Sequence, residues 1–175
     1  MSKSFIRSIA IASGLVLGVI TGASAASAGT ATANLGTSAS VTANCTISTA
    51  PIGFGAYDPI VANASIPLDA TGTVTVTCTN GAPTVVTLGQ GSNADTGSTD
   101  AAPLRRMANG AAMMSYSLYS DAGRTTVWGN TAGTGTSQNG TGSAQNLTVY
   151  GQVAAGQNLV TTGSYADTVV ATVSF

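Results

Sequence analysis

From Ala31 to Ile47 the chain alternates apolar and polar residues with almost no break. The odd positions are Ala31, Ala33, Leu35, Thr37, Ala39, Val41, Ala43, Cys45 and Ile47, and the even ones are Thr, Asn, Gly or Ser throughout. A strict period of two predicts a strand with one buried face. At about 3.3 Å per residue such a strand would run roughly 55 Å. A compact domain of about 150 residues has a radius of gyration near 15 Å. The first part of the segment is therefore expected to extend beyond its own domain. An apolar-faced strand that leaves its domain needs another protein to cover it.

The rest of the chain repeats the pattern in shorter pieces. A turn falls at Ala50-Pro51, and Gly53 to Pro59 is irregular. Residues 72–79 read as a strand with Val74, Val76 and Cys78 inward, ended by the hairpin signal Asn80-Gly81. Residues 84–89 return through Val86 and Leu88. Residues 89–103 form a polar loop. Leu104 to Ala108 and Ala112 to Ser120 read as two strands around Asn109-Gly110, the second with Ala112, Met114, Tyr116 and Leu118 on one face. A short strand is expected at Thr125 to Trp128, then a loop over 129–144. Residues 146–153 place Leu147, Val149, Gly151 and Val153 together. Residues 164–175 do the same for Tyr165, Val169, Ala171, Val173 and Phe175. Seven or eight short strands with turn signals, no helix and no internal repeat predict an all-β antiparallel sandwich.

Residues 1–25 have the form of a secretory signal peptide. Lys3 and Arg7 lead, an apolar run from Ile9 to Ile20 follows, and Ala23-Ser24-Ala25 offers a cleavage site; cleavage after Ala28 fits nearly as well. The apolar run is shorter than the roughly 20 residues that span a membrane. Residues 26–37 are expected to form an N-terminal extension and 38–175 the sandwich domain.

Beyond the leader the chain has no Lys, Glu or His. Arg105, Arg106 and Arg124 stand against Asp58, Asp69, Asp95, Asp100, Asp121 and Asp167, three positive charges against six negative, a net of −3. No basic patch exists for nucleic acid or anionic lipid. Without His, neither a Ser-His-Asp triad nor a Cys-His pair can be built, nor a metal site on His. The Asp residues do not cluster as a calcium loop requires. The Gly-rich stretches lack the Lys and helix of a phosphate loop. No catalytic, metal, cofactor-binding or small-molecule substrate site is expected. Phe54, Tyr57 and Trp128 read as core or turn packing rather than ligand contacts. Arg105 and Arg106 read as a solvated pair on a strand.

Export and an even cysteine count predict one disulfide between Cys45 and Cys78. Cys45 shares a face with Val41 and Ile47, and Cys78 with Val74 and Val76, so both point inward.

Several pieces together resemble the spore coat protein U domain family, which includes pilin subunits of archaic chaperone–usher pili. They are Cys45-Thr46-Ile47, Phe54-Gly55-Ala56-Tyr57-Asp58, Gly72 to Thr79, Arg106-Met107, Met114 to Asp121, Val127-Trp128-Gly129, Tyr150 to Val153 and Gly163 to Val169. The resemblance covers roughly residues 41–175. It implies an incomplete immunoglobulin-like sandwich completed by a donor strand. A periplasmic chaperone would lend that strand, and an outer-membrane usher would exchange it for the next subunit's N-terminal extension. Residues 29–37 would then be the donor strand, with Ala31, Ala33 and Leu35 as plugs by position and parity. Residues 39–47 would be the domain's own first strand. Val169, Ala171, Val173 and Phe175 would form the C-terminal strand beside the acceptor groove. The implied product is a head-to-tail surface pilus serving adhesion and biofilm formation. The alternatives are a spore or cell-surface coat protein of the same family, a small outer-membrane β-barrel, invited by terminal Phe175, and a sugar-binding adhesin tip. Short strands and few aromatics disfavour the barrel, and room for only one domain disfavours the tip.

Overall fold

The computed structural model describes residues 27–175, so the expected leader lies outside the described residues. Residues 27–39 carry no regular secondary structure, and their side chains are exposed, Leu35 at 90 %. Ser40–Phe175 forms a separate compact unit.

That unit has eight strands among the described residues: β1 (Cys45–Ala50), β2 (Leu68–Cys78), β3 (Pro83–Leu88), β4 (Arg105–Asn109), β5 (Ala112–Tyr119), β6 (Thr136–Asn139), β7 (Ala144–Val153) and β8 (Ala171–Ser174). They form two antiparallel sheets, ordered β1-β2-β7-β5-β4 and β6-β3-β8. Period-two burial runs through both. In β2, Gly72, Val74, Val76 and Cys78 are buried while the intervening threonines are half-exposed. Val149, Gly151 and Val153 on β7 and Met114, Tyr116 and Leu118 on β5 complete that sheet's inner face. Val86 and Leu88 on β3 oppose them. Trp128 is 1 % exposed, and its Nε1 donates to the Val86 carbonyl at 2.8 Å while its amide donates to Leu118 at 2.9 Å. It thereby ties one sheet to the other. Tyr57 is held by its hydroxyl, which donates to Ala154 O and accepts from the Gln157 amide.

Four elements differ from the sequence reading. The first strand begins at Cys45, not at residue 39 or earlier. Its partner β2 ends at Cys78, and the Asn80-Gly81 turn carries the chain away, so beyond it only Thr79 is in reach, its amide donating to Asn44 O and its hydroxyl to Asn44 O and Thr42 O. Backbone without a neighbouring strand has no ladder to join. Residues 125–128 make a single bridge, Tyr119 to Val127. The expected loop 129–144 contains β6, whose Thr-Ser-Gln-Asn sequence carries no apolar alternation. Residues 164–175 split: Ala166 bridges to Ala108 on β4, and only Ala171–Ser174 pairs with β3. The segment therefore passes from one sheet to the other.

Cys45 and Cys78 are directly opposite on β1 and β2, with Cα atoms 4.2 Å apart, and their sulfurs are bonded. Asn44 and Thr79 form the adjacent hydrogen-bonded pair. The cysteines therefore occupy a non-hydrogen-bonded position, where side chains approach most closely. Closing this loop is expected to stabilise the unit by about 3–4 kcal/mol. Urea unfolding of the Cys45→Ser/Cys78→Ser protein should give an unfolding free energy lower by about that amount, with a lower midpoint, and an unchanged midpoint would contradict it.

Candidate functional site

Each sheet ends in edges, and two of them border one opening. β1 closes one side of the larger sheet, and β8 closes one side of the smaller. Between the chain at Thr49–Phe54 and the chain at Tyr165–Ala171 lies a cleft of about 380 Å³, floored by Val74, Leu88, Leu118 and Val149. A second cleft of about 620 Å³ continues it toward the loops, over Leu68, Met114 and Val153. Both share Ile52, Phe54, Met107 and Tyr165. Together they make an open, mainly apolar groove running into the sandwich core. Ile47, Ile52, Phe54, Met107, Tyr165, Val169, Ala171 and Val173 pack on the core yet stay half-exposed.

The wall formed by Ile52 and Phe54 rests on two glycines. A Cβ on Gly72 would meet Ile52 Cγ1 at 2.5 Å and the Ala50 carbonyl oxygen at 2.9 Å. One on Gly151 would meet the Phe54 ring at 2.8 Å. Both glycines lie on the inner face of the larger sheet, so their lack of a side chain lets the chain after β1 lie across that face. Phe54 then meets Tyr116 edge-on, with ring centroids 6.0 Å apart.

The other wall is the free edge of β8. The Gly89 amide donates to Val170 O at 2.8 Å, which fixes the phase of the ladder. Val170, Thr172 and Ser174 turn their backbone groups toward β3. Those of Ala171 and Val173 therefore point away from it, and no hydrogen bond among the described residues engages them. This edge is an open template for one more strand. Val169, Ala171 and Val173 present half-buried side chains beside it, while Phe175 is exposed.

A polar anchor sits under the groove. Asp167 accepts from the Tyr116 hydroxyl at 2.7 Å, the Ser92 amide at 2.9 Å and Asn93 Nδ2 at 3.0 Å. Burial, followed by the bond to Asp167, pushes the Tyr116 hydroxyl far above its ordinary range. Arg105 is 1 % exposed rather than solvated, which corrects the surface reading of the Arg105-Arg106 pair. Its Nε donates to Gly89 O, and Nη2 donates to Leu88 O and Trp128 O, all at 2.8 Å. Burial lowers its pKa to about 10, against the opposing pull of Tyr116 and Asp167, so it stays charged at neutral pH. It clamps β4 of the larger sheet to the end of β3 in the smaller. Arg106 does lie at the surface, paired with Asp95 at 2.8 Å. Both groups left a trace in the sequence: Arg105 has the parity of Met107, and Asp167 that of Tyr165 and Val169.

Among the described residues, β1, β4, β6 and β8 are edge strands, whereas a barrel has none. The architecture is that of an open two-sheet sandwich with an apolar groove. Comparison with known proteins agrees. The chain belongs to the Spore Coat Protein U domain family, whose model matches residues 31–172. Protein U of Myxococcus xanthus is 48% identical over 160 residues, covering 87% of this chain and 89% of that protein. A solved structure, the CsuC–CsuE chaperone–tip adhesion subunit pre-assembly complex from archaic chaperone-usher Csu pili of Acinetobacter baumannii, matches with a TM-score of 0.54 at 19% identity. The match covers 77% of this chain and 40% of the chain it resembles, so this chain spans about two fifths of that chain's length. At that identity the likeness is one of fold, immunoglobulin-like.

The clamp predicts a contrast between neighbours. Arg105→Met leaves three carbonyls, two of them in buried contacts, without their charged donor, at a cost of about 3 kcal/mol or more. Arg106→Met, which loses a surface pair and two bonds to the Asn93 and Ala94 carbonyls, should cost about 1 kcal/mol. Denaturant midpoints of the two variants measure the difference, and equal costs would contradict the clamp.

Proposed function

We propose that this protein is a structural subunit of a surface pilus, assembled by donor-strand exchange through a periplasmic chaperone and an outer-membrane usher. The observation that carries the reading is the groove bordered by the unpaired edge of β8. A sandwich with bare backbone groups and half-exposed core residues along one seam lacks one strand of its complement. The same chain carries a strand-like segment without a home, residues 29–37, in which Ala31, Ala33 and Leu35 alternate with polar residues. Supplying that segment to the groove of a neighbouring copy joins subunits head to tail. A heterologous contact that does not close gives a filament.

Residues 1–25 act as the export signal, and the chaperone fills the groove until the usher exchanges its strand for the extension of the next copy. The fold likeness to a subunit solved with its chaperone supports this step. The fibre stands on the cell surface and serves attachment and biofilm formation. A second reading, a spore or cell-surface coat protein, is favoured by the identity to Protein U and uses the same groove. Neighbouring genes for a chaperone and an usher separate the two.

The donor assignment makes a sharp prediction. Leu35 is the largest plug, and its burial contributes about 1.5–3 kcal/mol. Leu35→Asp would place an unpaired carboxylate in an apolar cleft, a larger cost, and should abolish fibres. Moving residues 29–37 to the C-terminus through a Gly/Ser linker should give a self-complemented monomer that folds without chaperone and does not polymerise. Abundant normal fibres, seen by negative-stain microscopy, from Leu35→Asp or from a chain lacking residues 29–37 would sink the assignment.

A further inference from the structure

The loops at the mouth of the groove carry a second apolar feature. Ile60, Val61, Ile66 and Leu159 are all exposed, Leu159 at 94 %. They are not on a slack loop. Asp58 Oδ1 accepts from the amides of Ile60 and Val61, at 2.9 and 3.1 Å. Asn63 is buried, accepts from the Asp58 amide and donates to Ile66 O, both at 3.0 Å. The Gly156 amide donates to Asn63 O at 2.8 Å, joining this loop to the one that carries Leu159. A loop tied by these hydrogen bonds around buried Asn63 holds its apolar side chains outward. Apolar surface displayed in that way marks a contact site.

The direction of assembly identifies the partner. Every strand pair in both sheets is antiparallel, and antiparallel pairing is the more stable per residue. A donor strand antiparallel to β8 enters beside Phe175 and leaves past Pro59 and Val160, which line the outer end of the larger cleft. The chain leaving there leads into the next copy's body, which begins beside Thr79, since Thr42 O and Asn44 O accept from the Thr79 hydroxyl. Only residues 38–40 remain as tether, at most about 11 Å. That length brings the base of the next copy against the loops. The base carries exposed Val41 and Phe175.

We infer that Ile60, Val61, Ile66 and Leu159 form a second interface between consecutive copies, packing against the base of the next copy around Val41 and Phe175. The inference rests on the donor-strand reading and adds a contact outside the groove. It makes the junction between subunits a supported joint rather than a free tether.

Hydroxyl-radical labelling with mass spectrometry tests it, comparing assembled fibres with the self-complemented monomer. Labelling of Ile60, Ile66 and Leu159 should fall by about five-fold in the fibre, as expected for side chains moved into an interface core. Leu104, exposed on another part of the surface, should label equally in both. Equal labelling of the cluster in fibre and monomer would overturn the contact while leaving donor-strand exchange standing. Equal labelling with adsorption of fibres to polystyrene beads that is lost in the Ile60→Asp/Leu159→Asp variant would also overturn it, assigning the cluster to external apolar surfaces. If the chain forms no fibres with its chaperone and usher, the donor-strand reading itself fails, and this inference with it.

Discussion

An unpaired seam governs this molecule. Strand β8 ends the smaller sheet with the amides and carbonyls of Ala171 and Val173 turned outward, and beside it the core lies open along an apolar groove. Backbone polar groups beside apolar surface have two remedies, water or another strand. Water satisfies the edge but leaves the groove exposed. A strand satisfies both at once, since its backbone completes the ladder and its alternate side chains fill the cleft. The seam is therefore both a source of instability in the isolated subunit and the means by which it recognises its neighbour.

The walls of the seam are held more firmly than its interior. On one side the Cys45–Cys78 disulfide fixes β1 to β2, and Ile52 and Phe54 settle on Gly72 and Gly151. On the other, Asp167 gathers Tyr116, Ser92 and Asn93, and Gly89 binds Val170. Arg105 and Trp128 cross between the sheets behind both walls. A cleft with fixed walls spends little ordering entropy when a strand enters. The contacts of Asp167 near the groove floor are polar hydrogen bonds, so they set the position of the walls without filling the space between them.

Much of this was legible in the residues. The alternation of Val74, Val76 and Cys78, of Met114, Tyr116 and Leu118, and of Leu147, Val149, Gly151 and Val153 assigned the inner face of the larger sheet correctly, because burial on one face imposes period two. The inward parity of Cys45 and Cys78 agrees with their placement across β1 and β2. What escaped the sequence reading was set by partners distant in sequence. Residues 39–44 have a strand's pattern but no strand beside them. Strand β6 has a partner in β3 but no pattern. Arg105 reads as solvated because a charge on a strand usually is, yet three main-chain carbonyls from two separate segments converge on it. Pairing of that kind is a property of the assembled sheets, and local patterning does not carry it.

Amide hydrogen exchange along β8 tests the central claim most directly. The phase of the ladder places the Thr172 and Ser174 amides against β3 and leaves those of Ala171 and Val173 facing the groove's edge. In assembled fibres the account predicts strong protection of all four, because the donor strand pairs with the outward pair. In the subunit without a donor strand, Thr172 and Ser174 should stay protected while Ala171 and Val173 exchange freely. Ala171 and Val173 amides that exchange as fast in the fibre as in the unfilled subunit would contradict it, since no strand would then lie along that edge.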